Sequence, residues 1–160
     1  QTNHTTTNSE ILFWLGWAQE ISGDHAGAQK SWAKARGELE SFVKEQPEDH
    51  ILFGNLALTN ACLGDKAAAF AAAERAMAAV PMERDAVSGP TPLEVLARVA
   101  AQLGDVDRAI PALEKLMVTM YSGALGPGAP LTPALLRLDP MFDPLRGDPR
   151  FQELCKDKQP

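Results

Sequence analysis

The sequence predicts an all-α protein of three helical hairpin repeats, followed by an irregular, Pro-rich C-terminal tail with a short final helix. Three observations carry that reading. The dipeptide Gly-Asp recurs at Gly23-Asp24, Gly64-Asp65 and Gly104-Asp105, at spacings of 41 and 40 residues. Its flanks recur in register: eight residues before each Gly stands Leu15, Leu56 or Leu96, then small Gly16, Ala57 or Ala97, and five residues after it stands Ala28, Ala69 or Ala109. Beyond Tyr121 the chain turns to Gly123, Gly126, Pro127, Gly128, Pro130 and Pro133, and the repetition stops.

A polar leader, residues 1–8, precedes the repeats, which span about 9–47, 48–88 and 89–121. Thr7 and Glu10 have capping-box spacing at the start of the first helix. Ile11, Leu12, Phe13, Trp14, Leu15 and Trp17 then wrap that helix in apolar side chains on every side. Such a helix is expected to be covered all round, so a homodimer through the N-terminal helix, or residues 1–8 folded across it, is expected. At each Gly-Asp the Gly suits the left-handed residue that ends one helix, and the Asp suits the cap of the next. The small residue after each Leu lets the two helices approach, with the Ala five beyond the Gly facing it. Pro47 and Pro81 mark the ends of the second helices, and the Ala-rich run Ala67–Ala79 reads as a tightly packed helix carrying Phe70 and Met77. The third repeat opens on Thr91 and Glu94, again at capping-box spacing, with Pro92 in the first turn.

The tail, 122–160, is read as a loop, one short helix within Leu131–Leu138, and a series of turns. Asp-Pro at 139, 143 and 148 is read three times as a capping Asp followed by a first-turn Pro, the last opening a helix from Pro149 to about Lys156.

Length and charge narrow the function. At 160 residues and 17.2 kDa the chain suits one domain, and its net charge of −6, negative in both halves, has the wrong sign for nucleic acid or anionic lipid. Ile11–Ala18, the longest apolar stretch, is too short for a spanning helix of ~18–20 residues, so no direct membrane insertion is expected. The chain starts at Gln1 without a basic and apolar leader and reads as a fragment of a longer protein. A cytoplasmic location is slightly favoured, and a periplasmic one would need a membrane span in the parent.

Candidate chemistry is sparse. Cys62 and Cys155 are too few and too far apart for a disulfide framework or a metal site, and His4, His25 and His50 lack partners at ligand spacing. Capping and Arg-carboxylate pairing account for Asp139, Asp143, Asp148, Arg146 and Arg150. Trp14, Trp17 and Trp32 suit helix packing rather than base stacking. No catalytic residue, metal or cofactor is expected, and the chain itself is not expected to be an enzyme.

The first repeat, Leu12, Leu15-Gly16, Gly23-Asp24, Ala28, Trp32 and Ala35, resembles the tetratricopeptide repeat motif at its relative spacing. The second keeps Phe53, Leu56-Ala57, Gly64-Asp65, Ala69, Ala76 and Pro81; the third has Leu113 and Leu116 at the last two positions. The period exceeds the usual ~34, and Gln19, Asn60 and Ala100 stand where a large aromatic is expected. The resemblance implies a right-handed α-solenoid of three such units whose first helices line a groove for a protein or peptide partner. Projected on that pattern, the groove receives Phe13, Trp17 and Glu20 from repeat one, Asn55, Leu58 and Cys62 from repeat two, and Glu94, Arg98 and Gln102 from repeat three. Of the family's carboxylate clamp only Asn55 is matched, with Phe13, Trp17, Thr91 and Val95 elsewhere, so a chaperone-adaptor role is disfavoured. The tail is similar to the closing segment after such repeats in large bacterial signalling proteins. The expected function is a non-catalytic protein-protein interaction module, the C-terminal scaffold or regulatory part of such a protein. The alternative is a ligand-sensing regulatory domain coupled to an upstream kinase, cyclase or DNA-binding domain.

Overall fold

A tight helical hairpin needs one residue with positive φ and a cap for the returning helix, and the three Gly-Asp pairs supply both. In the computed structural model, which describes residues 8–81, 88–125 and 129–156, Gly23, Gly64 and Gly104 have φ of 89°, 77° and 67°. Asp24, Asp65 and Asp105 accept hydrogen bonds from the backbone N–H of Gly27, Ala68 and Arg108 at 2.9, 3.1 and 3.3 Å. These turns join α1 (Asn8–Ile21) to α2 (His25–Glu45), α3 (His50–Cys62) to α4 (Lys66–Ala79), and α5 (Pro90–Gln102) to α6 (Val106–Met117). The tail adds α7 (Pro133–Leu138), a 3-10 helix (Pro140–Leu145) and α8 (Pro149–Leu154). The described residues are all-helical in architecture and contain no strand. Most of the leader, including Thr7, and the stretch Gly126–Gly128 lie outside them.

Each hairpin closes on itself, α1 on α2, α3 on α4 and α5 on α6, and the next is laid against it: α2 meets α3, while α5 meets both α3 and α4. The contacts are made by small side chains. Ala28, Ala35, Ala57, Ala69, Ala73, Ala76, Ala97 and Ala109 are all fully buried, and this lets the backbones approach. In the first hairpin the small residue has a specific reason. Gly16 lies under the Trp32 ring, whose indole N–H donates to the Phe13 carbonyl at 3.1 Å, and Trp17 packs edge-on to Trp32. The long period has two sources: α2 runs 21 residues, whereas between α4 and α5 the extra length lies in the connection.

Two sequence expectations are corrected. Thr91 is not a cap: α5 starts one residue earlier, at Pro90, and its N-cap residue Gly89 makes no side-chain cap bond. Pro90 fits the first turn because its missing N–H needs no partner there. Thr91 Oγ instead donates to the Ser122 carbonyl at 2.8 Å. Asp139 and Asp148 do cap the 3-10 helix and α8, accepting from Met141 and Arg150 N–H at 2.9 and 2.8 Å. Asp143 lies inside the 3-10 helix and pairs with Arg146 at 2.6 Å. Leu15 is 45% exposed, in keeping with a first helix that its own hairpin covers on one side only, whereas its counterpart Leu56 is buried. α2 covers α3, and no described helix covers the equivalent side of α1.

Candidate functional site

The first helices of the hairpins bound a cleft of about 590 Å³. Ser9, Glu10, Phe13 and Trp14 of α1 form one side, and His50, Ile51, Asn55, Leu58 and Thr59 of α3 form the floor. Thr91 at the start of α5 and the segment Ser122–Leu125 close the other side. The walls have local causes. Asp49 caps α3 through the N–H of Ile51 and Leu52, which sets His50 at the rim. The Thr91 bond to Ser122 pins the far wall. Thr59 Oγ is turned into its own helix, donating to the Asn55 carbonyl at 2.8 Å. The side chains of Asn55 and His50 are half-buried and make no hydrogen bond among the described residues. The cleft therefore offers a neutral amide and an imidazole within a mixed lining of apolar side chains and the polar Ser9, Glu10, Thr91 and Ser122.

Phe13, Asn55 and Leu58 thus come together as projected, while the rest of the predicted groove does not join them. Trp17 is buried against Trp32, and Glu20 turns to the hairpin end, 2.9 Å from His25 Nδ1. Cys62 is half-buried, and burial pushes its thiol up to about 12, so it is no thiolate at neutral pH.

Glu94, Arg98 and Gln102 lie beneath the chain's own tail instead of facing an open groove. Glu94 is fully buried and Arg98 only 4% exposed. Arg98 Nε meets Glu94 Oε1 at 2.8 Å, and Nη1 meets Asp139 Oδ2 at 2.5 Å. The second Glu94 oxygen accepts from the Tyr121 hydroxyl at 2.8 Å and from the Ala124 N–H at 3.0 Å. Tyr121 Oη in turn accepts from Leu131 N–H at 3.0 Å. Burial, reinforced by the neighbouring Glu94 charge, drives the Tyr121 phenol far above its ordinary range, so it stays a donor. Gln102 donates to the Met141 carbonyl. The tail then runs to the end of the array, where α8 meets α6.

Sequence reasoning missed the contributions of Ser9, Glu10, His50, Thr59, Thr91 and Ser122–Leu125. One signal was present: Glu94 and Arg98, opposite charges four apart and the only charged side chains of α5, ask for a polar partner brought from elsewhere. Among the described residues no group of three or more His, Cys, Asp or Glu side chains is placed to hold a metal ion, and no helix is long and apolar enough to cross a membrane. α1 leaves Ile11, Trp14, Leu15 and Ile21 exposed along one side. Comparison of the chain with protein-family models, curated proteins and solved structures returns no match.

Proposed function

We propose that this chain is a non-catalytic interaction module of tetratricopeptide type, a right-handed stack of hairpins whose cleft between α1, α3 and α5 docks a short peptide segment. One observation carries the reading: the Asn55 and His50 side chains hold hydrogen-bonding capacity unused among the described residues, inside a cleft that sets apolar Phe13, Trp14, Ile51, Leu58 and Leu125 among polar Ser9, Glu10, Thr91 and Ser122. A peptide main chain can use that capacity while its side chains bury apolar surface. The three Gly-Asp hairpins support the repeat type. The raised Cys62 thiol, no thiolate at neutral pH, supports binding without chemistry. The tail's likeness to closing segments of bacterial signalling proteins supports a scaffold or regulatory role within a longer chain. The exposed stripe on α1 supports self-association, which light scattering reads directly.

A second reading, small-molecule sensing, is favoured by the cleft's size, since about 590 Å³ falls within the ~300–1,000 Å³ typical of ligand pockets. Selection from a random peptide library on the full chain separates the two. Selected peptides are expected to lose about tenfold in affinity on Asn55→Ala or His50→Ala, with Lys34→Ala as an unaffected control on the exposed side of α2. Equal binding to all three variants would place the site elsewhere, and failure to select any peptide would leave small-molecule sensing as the better reading.

A further inference from the structure

Arg98 and Gln102 stand where the third hairpin's first helix would meet a ligand, and what they hold has the features of one. The segment Asp139–Leu145 presents a carboxylate to the Arg98 guanidinium and a main-chain carbonyl to the Gln102 amide. The Met141 sulfur lies 3.4 Å from Arg98 Nη1, and the Phe142 ring centre is 5.1 Å from the guanidinium carbon. Met141, Phe142 and Leu145 are 3%, 0% and 0% exposed. Asp139 does two jobs with two oxygens: Oδ1 caps the 3-10 helix through Met141 N–H, and Oδ2 meets Arg98. A charge, a backbone carbonyl and bulky apolar anchors together are how a groove reads a short peptide. The reading is register-specific. Asp143-Pro144-Leu145 repeats the Asp-Pro-apolar pattern, yet Asp143 turns to Arg146 and away from α5.

We propose that the α5 face is a peptide-recognition surface filled in cis by the tail, and that its partner in trans is a polypeptide segment of the same chemistry: Asp-Pro followed by two bulky apolar residues in a 3-10 turn. The proposal rests on the interaction-module reading and adds a regulated second subsite to it. The tethered tail competes at an effective concentration on the order of millimolar, so only a partner that is abundant or itself multivalent displaces it. Displacement reaches the open cleft as well. Glu94 anchors Ala124, and Ser122–Leu125 is the cleft's far wall, so releasing the tail loosens that wall.

The proposal requires that the tail leave α5 without the hairpins unfolding. Native-state hydrogen exchange on the unaltered chain tests this through the N–H groups of Ala124 and Leu131, whose bonds to Glu94 and Tyr121 exist only while the tail is docked. They are expected to exchange at least 100-fold faster than buried amides of α3 such as Leu58 and Thr59. Exchange at the same rate as α3 would make the tail a fixed part of the core and overturn the proposal. The second arm uses a fluorescein-labelled peptide of residues 138–146 as the probe. It is expected to bind full-length Phe142→Ala, in which the cis segment has lost its main anchor, at least tenfold more tightly than the unaltered chain. Asp139→Asn in the peptide is expected to lose at least tenfold, and Asp143→Asn to change little. A peptide that binds without regard to its first Asp, or does not bind the loosened chain, overturns the proposal. If library-selected peptides still occupy the cleft in that case, the interaction-module reading survives; if no peptide binds anywhere, both fall.

Discussion

Gly16→Ala lowers the stability of the chain by ~2–3 kcal/mol, against the direction that helix propensity alone would give. Alanine is favoured over glycine inside a helix by up to ~1 kcal/mol. At position 16, however, a Cβ would stand 2.3 Å from Trp32 Nε1, 2.6 Å from Cδ1 and 2.8 Å from Cε2. Trp32 is 3% exposed and held from two sides, by the Phe13 carbonyl and by the Trp17 ring, so the indole cannot swing away cheaply. Overpacking costs ~1–3 kcal/mol, and loss of the Trp32 to Phe13 hydrogen bond adds ~1 kcal/mol. Gly37 in α2 is the control. It is exposed, a Cβ there meets nothing within 4 Å, and Gly37→Ala is expected to raise stability by ~0.5–1 kcal/mol. Urea midpoints therefore move in opposite directions for one chemical change at two helical glycines. A shared direction would show that the α1–α2 contact is looser than described.

Arg98→Met has the largest expected effect of any polar substitution. It leaves the Glu94 carboxylate fully buried with only the Tyr121 hydroxyl and the Ala124 N–H as partners, and it strands Asp139. Removing one member of a buried ion pair costs ~3–5 kcal/mol, most of it from the uncompensated charge left behind. That origin has a signature. In Glu94→Gln with Arg98→Met the amide oxygen still accepts from Tyr121 and Ala124 while the buried charge is gone. The double variant is expected to be ~1–2 kcal/mol more stable than Arg98→Met alone. Additive losses in chemical denaturation would show that Arg98 acts through packing on Phe142 and not through charge.

The hairpins were legible in the sequence because their determinants are local. A glycine forced to positive φ and an aspartate capping the next helix act over four residues, and the buried Ala five beyond each Gly follows from the same turn. The cleft was half legible: Phe13, Asn55 and Leu58 follow from repeat register, but Ser122–Leu125 reaches the site through a loop that has no period. The tail's docking was hidden for a related reason. Arg98 and Asp139 are 41 residues apart, and no pattern within either segment names the other. The Thr91 capping box misled because its spacing is satisfied while Pro90 already fits the first turn and Glu94 is claimed by Tyr121. The exposure of Leu15 was legible too, because a repeat position is buried only when a neighbouring hairpin covers it.

If the cleft between α1, α3 and α5 docks a peptide partner, as proposed, binding must perturb that cleft and leave the outer helices alone. Backbone amide chemical shifts of the isotope-labelled full chain, titrated with a library-selected peptide, test it most directly. Saturable shifts are expected at Phe13, Asn55, Leu58, Thr59, Thr91 and Ser122–Leu125, with the exposed side of α2 and α4, such as Lys34 and Glu74, unmoved. Shifts centred on Lys30, Lys34 and Glu74, with the cleft silent, would contradict it.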